Sequence, residues 1–179
     1  MKRYFFFALM LGAMACSNNT QQSKQDPLDT LANLEFDKNP IGKEAGCKWL
    51  KDSIESYFVK DSGFDKMKLL TTEDYYNFKV DAMNTGLDID SSITKFELNQ
   101  KWGNKFEIDT ASLGQGFLIS GQDWGEIKVS SCDLLDENAS ELNLKLIISD
   151  CKLQTDYHRD IKLVLDNNQI KIANVKEYD

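Results

Sequence analysis

The sequence predicts an α+β domain in which helices come first and pack on one curved antiparallel sheet. Two observations carry this. Between residues 43 and 103, apolar side chains recur at three- and four-residue intervals, the repeat of a helix with one buried face. After Gly114 the repeat shortens to two, the mark of strands with one buried and one wetted face. Helices followed by a run of strands joined by short turns gather on one side of a single sheet.

The first helix is read from "KEAGCKWLKDSIESYFVKD" (43–61). Cys47, Leu50, Ile54, Tyr57 and Phe58 share one face, with Lys48, Lys51, Asp52, Glu55 and Ser56 largely on the other. Asp61-Ser62-Gly63 is its stop signal. A second helix starts within "LLTTEDYYNFKVDAMNTG", where Thr71 and Asp74 form a variant capping box, Tyr75 and Phe78 lead the apolar face, and Gly86 ends it. A third, "SSITKFELNQKWG" (91–103), carries Ile93, Phe96 and Leu98 and stops at Gly103.

"GFLIS" (116–120) predicts a first strand. "EIKVSS" follows with Ile127 and Val129, "ELNLKLII" with Leu142, Leu144, Leu146 and Ile148, "DIKLVL" with Ile161, Leu163 and Leu165, and "QIKIANV" with Ile170 and Ile172. "DENAS" (136–140) and "DNNQ" (166–169) are hairpin turns. Asn138-Ala139-Ser140 matches a glycosylation sequon and is read as part of that turn. "TDYHRD" is read as a charged loop between two strands, with His158, the one histidine, on the surface.

The amino terminus has a different organisation. Lys2 and Arg3 precede an apolar run from Tyr4 to Met14, about half of what a membrane span needs. Ala13, Met14 and Ala15 then lead into Cys16. This resembles a bacterial lipoprotein signal, in which small and aliphatic residues precede the cysteine. The resemblance implies a signal peptide over residues 1–15 and a Cys16 that carries palmitate-type acyl chains as the mature first residue. The alternative is ordinary secretory cleavage near Ala15, leaving a free thiol. Each buried methylene contributes about 0.8 kcal/mol, so two or three chains hold a domain firmly on a bilayer. Ser17 to Gln25 contain no hydrophobic residue and are read as a tether. "LDTLANLEF" (28–36) is weakly patterned, so 16–40 is assigned as lipidated cysteine and tether, and 41–179 as a single domain.

The 179 residues carry a formal charge of -8, which argues against nucleic-acid binding, because phosphate recognition needs a concentrated basic surface. "SLGQGF" lacks the following lysine and the strand-to-helix setting of a phosphate cradle. Beyond Cys16, Cys47, Cys132 and Cys151 remain, an odd number for an exported protein. A hairpin centred near Asn138 sets Cys132 opposite Leu144 and leaves Cys151 too far along for a disulfide, roughly 23 Å at ~3.3 Å per residue. Cys47, on the first helix, is placed to reach one strand cysteine; otherwise the three are buried thiols. There is no CxxC spacing, and no metal or cofactor is expected.

The first helix, "LLTTEDYYNF", "KWGNKF", "GQDWGEIKV" and the closing hairpin "IKLVLDNNQIKIANV" come in an order that resembles cone-shaped nuclear transport factor 2-like (cystatin-like) domains found in lipoproteins of Bacteroidetes. Gln169 stands where such domains often carry tryptophan. The resemblance implies a sheet wrapped into a cone around its helices, and a protein held on the outer membrane, facing periplasm or exterior. Because related folds include isomerases and dehydratases, it also implies that Asp74, Tyr75, Tyr76, Trp102, Asp123 and Trp124 line a pocket. Five of the six have a named structural alternative: Asp74 a helix cap, Tyr75 and Trp102 the core, Asp123 a polar turn, Trp124 local packing. The expected function is a membrane-tethered, non-enzymatic domain binding a small apolar ligand or an envelope protein. The alternatives are a pocket enzyme of the isomerase or dehydratase kind and an inhibitor or immunity-type partner.

Overall fold

The computed structural model describes residues 41–59, 63–121 and 123–178. The signal, Cys16, the tether, "LDTLANLEF" and the Asp61-Ser62 part of the first stop signal lie outside the described residues. Among the described residues four helices precede four strands: α1 (Lys43–Val59), α2 (Phe64–Leu70), α3 (Glu73–Met83) and α4 (Lys95–Trp102), a 3-10 turn at Ile108–Thr110, then β1 (Ile127–Glu137), β2 (Glu141–Asp150), β3 (Thr155–Asp166) and β4 (Gln169–Tyr178). The strands form an open antiparallel meander in the order β1-β2-β3-β4. The fold is α+β.

One layer of core lies between helices and sheet. Leu50, Ile54, Phe78, Ala82, Leu98 and Met67 from the helices meet Leu142, Leu144, Leu146, Ile148, Ile161, Leu163 and Ile172 from the sheet. The alternation along β2 follows the predicted strand period, with Leu142, Leu144, Leu146 and Ile148 buried and Lys145 exposed. The other face of the sheet carries Asp133, Lys145, Asp156 and His158 in solvent. Gly46 lets α1 approach that sheet closely, because a Cβ there would lie 2.4 Å from the Leu142 side chain.

Several expectations are corrected. Residues 116–120 are not a strand. Phe117, Leu118 and Ile119 are all buried in succession, and Leu118 adopts φ 69°, which turns the chain out of extended geometry. The cap of α3 is Thr72, whose hydroxyl accepts from Tyr75 N at 3.4 Å; Thr71 instead donates back to Met67 O at 2.8 Å. In α4 the capping box is Thr94 with Glu97, and Phe96 faces solvent at 69% exposure while Leu98 and Trp102 are buried. "TDYHRD" is not a loop: β3 begins at Thr155, and its alternation sends Tyr157 and Arg159 inward and His158 outward.

The β1–β2 register also differs. Cys132 lies opposite Leu146, not Leu144, and β1 has irregularities at Val129/Ser131 and Leu134/Asp136. Asn138 Oδ1 accepts from Ser140 N and Glu141 N, which moves the turn centre past Asn138. At Cys132 the cross-strand partner is displaced by two residues, and the two irregularities change that offset along the strand. Cys151 remains out of reach of Cys132, and Cys132 is joined to Cys47 of α1 with α-carbons 5.9 Å apart. The expectation of buried thiols is therefore replaced by one disulfide and an exposed Cys151.

Candidate functional site

The chain between α4 and β1 is mostly irregular, and its residues close one end of the helix layer. Gly114 N donates to Ala82 O at 2.9 Å, pinning this segment to the last turn of α3. Tyr57 packs edge-on to Phe117, and Phe58 edge-on to Trp124, with ring centroids 5.4 Å apart in both pairs. Trp124 Nε1 donates to Phe58 O at 3.1 Å, satisfying one of the carbonyls left over at the end of α1. The indole nevertheless remains 37% exposed.

Phe58 and Trp124 form a ridge between two surface grooves. The first has a volume of about 350 Å³ and is walled by Tyr57, Phe58, Leu87 and Trp124, with backbone of Gly114, Gly116 and Gly121 exposed along it. The second, about 610 Å³, is flanked by Glu55, Lys128 and Lys152. A carboxylate sets the position of the Trp124 loop. Asp150 accepts from Gly125 N at 2.6 Å and from Lys152 N and Leu153 N at 2.9 Å. Burial works to raise the Asp150 pKa, but the three backbone donors and Lys152 hold it below the ordinary aspartate value.

A second polar cluster is enclosed in the core. Lys79 Nζ lies 2.6 Å from Glu177 Oε1, with both side chains wholly buried, and it also donates to Ala111 O at 3.0 Å. Arg159 Nε donates at 2.8 Å to the carbonyl of Leu118, the residue with φ 69°, and the guanidinium lies 5.5 Å from the Tyr157 ring centroid. Burial raises the Glu177 pKa, opposed by Lys79, Arg159 and Ser112. Burial and the Glu177 charge together raise the Tyr75 phenol well above its ordinary value, with Arg159 acting against them. Lys79 and Glu177 Oε1 satisfy each other and Arg159 is held by main-chain oxygens, whereas Glu177 Oε2 is buried without a hydrogen-bond partner among the described residues; none of these side chains lines the aromatic grooves.

The six sequence-predicted site residues are not gathered into one pocket. Tyr75 and Trp102 belong to an aromatic cluster with Phe78 and Phe106, the last two stacked at 4.3 Å. Trp102 Nε1 donates to Asp81 Oδ2 at 2.7 Å. Asp74 is paired with Lys105 at 2.8 Å on the surface, beside a polar groove far in composition from the aromatic ones. Tyr76 is half-buried under Lys68, whose ammonium lies 5.7 Å from the ring centroid. Asp123 is exposed, and Trp124 alone of the six lines the aromatic grooves.

Lys79, Arg159, Glu177 and Asp150 were not singled out by sequence reasoning. Lys79 falls four residues after Tyr75, inside the apolar stripe of α3, and that interruption was the available signal. Among the described residues no group of histidine, cysteine or carboxylate side chains is arranged to hold a metal, and no helix is long and apolar enough to cross a membrane. No family model, curated protein or solved structure matches the chain.

Proposed function

We propose that this chain is a lipid-anchored cell-envelope protein whose folded domain binds a ligand or protein partner rather than catalysing a reaction. One observation carries the binding reading. Of the deeply buried ionisable groups, Lys79 pairs with Glu177 and Arg159 donates to main-chain oxygens, and neither these three nor Tyr75 line the aromatic grooves, the first of which is walled mainly by aromatic and aliphatic side chains. A pocket enzyme would instead expose a perturbed acid or base to its substrate. Asp74 and Asp123, the carboxylates first in line for that role, are surface groups.

Export is supported by the Cys47–Cys132 disulfide, a bond that persists in oxidising compartments, and by the sequence around Cys16. We read the helices and closing hairpin as a reduced, open relative of the cone-shaped nuclear transport factor 2-like fold, with the outer membrane as the site of anchoring. Palmitate labelling of wild type and Cys16→Ser tests the anchor: label is expected only in wild type, and equal labelling overturns it. Photo-crosslinking in intact cells tests binding. A benzophenone side chain replacing Gln115, beside the first groove, is expected to give a discrete adduct, and one replacing Lys145, on the outer face of the sheet, none. Absence of an adduct from Gln115 overturns the binding reading.

A further inference from the structure

We infer that the first groove, beside Trp124, is a docking site for a cationic amphipathic peptide segment of an envelope protein. This rests on the binding reading above and names the partner's chemistry.

The groove walls supply an apolar seat. Leu87 is 43% exposed and Trp124 37% exposed, and both line the groove together with the buried Tyr57 and Phe58. Large apolar side chains left in solvent at a concave site are ready to bury against a partner's anchor residue. The amides of Asn84 and Gln115 and the main chain of three glycines also line it. Such groups can pair with the N–H and C=O groups of a peptide, whereas a purely apolar ligand would leave them unpaired.

Charge selects the partner. Among the described residues no cation lines this groove. Asp88 follows Leu87 directly, Asp90 lies three residues beyond it, and Asp123 precedes Trp124; all three are exposed. None holds an ion pair among the described residues, whereas Asp52, Asp74, Asp81 and Glu55 of the helices each have a lysine. Unpaired carboxylates close in the chain to the groove residues Leu87 and Trp124 favour lysine or arginine flanking an apolar anchor, and repel an acidic segment. The second groove carries Lys128 and Lys152, so the cationic segment is assigned to the first alone.

The test uses the Cys16→Ser chain and two synthetic helical peptides of roughly fourteen residues, one of leucine and lysine, one of leucine and glutamate. Binding is followed by isothermal calorimetry. The Leu/Lys peptide is expected to bind saturably, the Leu/Glu peptide not. Trp124→Ala, and separately Asp88→Asn/Asp90→Asn/Asp123→Asn, should each weaken binding at least about tenfold. The same charge change elsewhere, Asp133→Asn/Asp136→Asn/Glu137→Gln, should leave affinity within about twofold. Equal loss from both triple variants would mean non-specific attraction to an acidic protein and overturns the proposal. So does binding of both peptides, or retention of affinity by Trp124→Ala. If the Gln115 crosslink forms in cells while the Leu/Lys peptide fails to bind, the partner class is wrong and the binding reading stands.

Discussion

Gly125 N donates to Asp150 Oδ2 at 2.6 Å, and this bond ties the loop bearing Trp124 to the end of β2. The other carboxylate oxygen accepts from Lys152 N and Leu153 N, so one buried side chain orders two turns at once. Replacing it with asparagine removes charge-assisted acceptance and should cost about 1.5–3 kcal/mol at neutral pH.

The same carboxylate predicts a pH dependence. Its folded pKa is lowered, so the stabilisation is present above the unfolded value of about 3.9 and is lost as pH falls through the folded value. The gap in urea midpoint between wild type and Asp150→Asn should therefore hold steady near neutrality and close under acid. A gap that widens on acidification would refute the assignment.

Gly125 is needed for closeness rather than for its backbone angle. A Cβ there would lie 2.2 Å from Lys152 Cβ and 2.8 Å from Asp150 Oδ1. Gly125→Ala should cost about 1–3 kcal/mol and shift tryptophan emission to the red, because Trp49 and Trp102 are buried and Trp124 is the responsive indole. Gly42→Ala, with nothing within 4 Å of its Cβ, serves as the control and should leave the spectrum unchanged.

The Lys79–Glu177 pair joins α3 to the last strand. Removing one partner strands the other charge in the core, so Lys79→Met should destabilise by about 3–5 kcal/mol in chemical denaturation. Lys79→Met/Glu177→Leu should be less damaging than the sum of the single changes, since the double variant buries no lone charge. Strict additivity would show that the two groups do not act as a pair.

The disulfide closes a long stretch of chain, from residue 47 to residue 132. Cys47→Ser/Cys132→Ser should lower stability by about 2–5 kcal/mol. In the Cys16→Ser background, thiol titration of the native protein should report only Cys151, and the other two only after reduction. Reactivity at Cys47 without reductant would contradict the pairing.

Much of the architecture is legible in the chain because it rests on repeat length. Leu50, Ile54 and Phe58 mark a helix face, and Leu142 to Ile148 mark a strand face, whatever lies opposite them. The disulfide was only bracketed, as a reach from Cys47 to one strand cysteine, because its register depends on where Asn138 bends the chain. The candidate site was harder. Trp124 is visible as an aromatic in a polar loop, but Phe58 on which it packs, Leu87 of the same groove and Asp150, which holds Gly125, come from three distant segments. Tyr75 and Trp102 were drawn toward a pocket because aromatics suit both a core and a binding site.

Arg159 illustrates the limit most clearly. In "TDYHRD" it stands among charges and has the composition of a loop, yet β3 extends through it and carries it inward to Leu118 O. Hydrophobic periodicity is a local property, and it determined the α+β class and the placing of helices before the four strands. Charge pairing, loop closure and groove shape depend on groups far apart in the chain meeting in a medium without water. Only the tertiary structure brings those groups together, and so only it decided that Lys79, Glu177 and Arg159 are enclosed and Trp124 is presented.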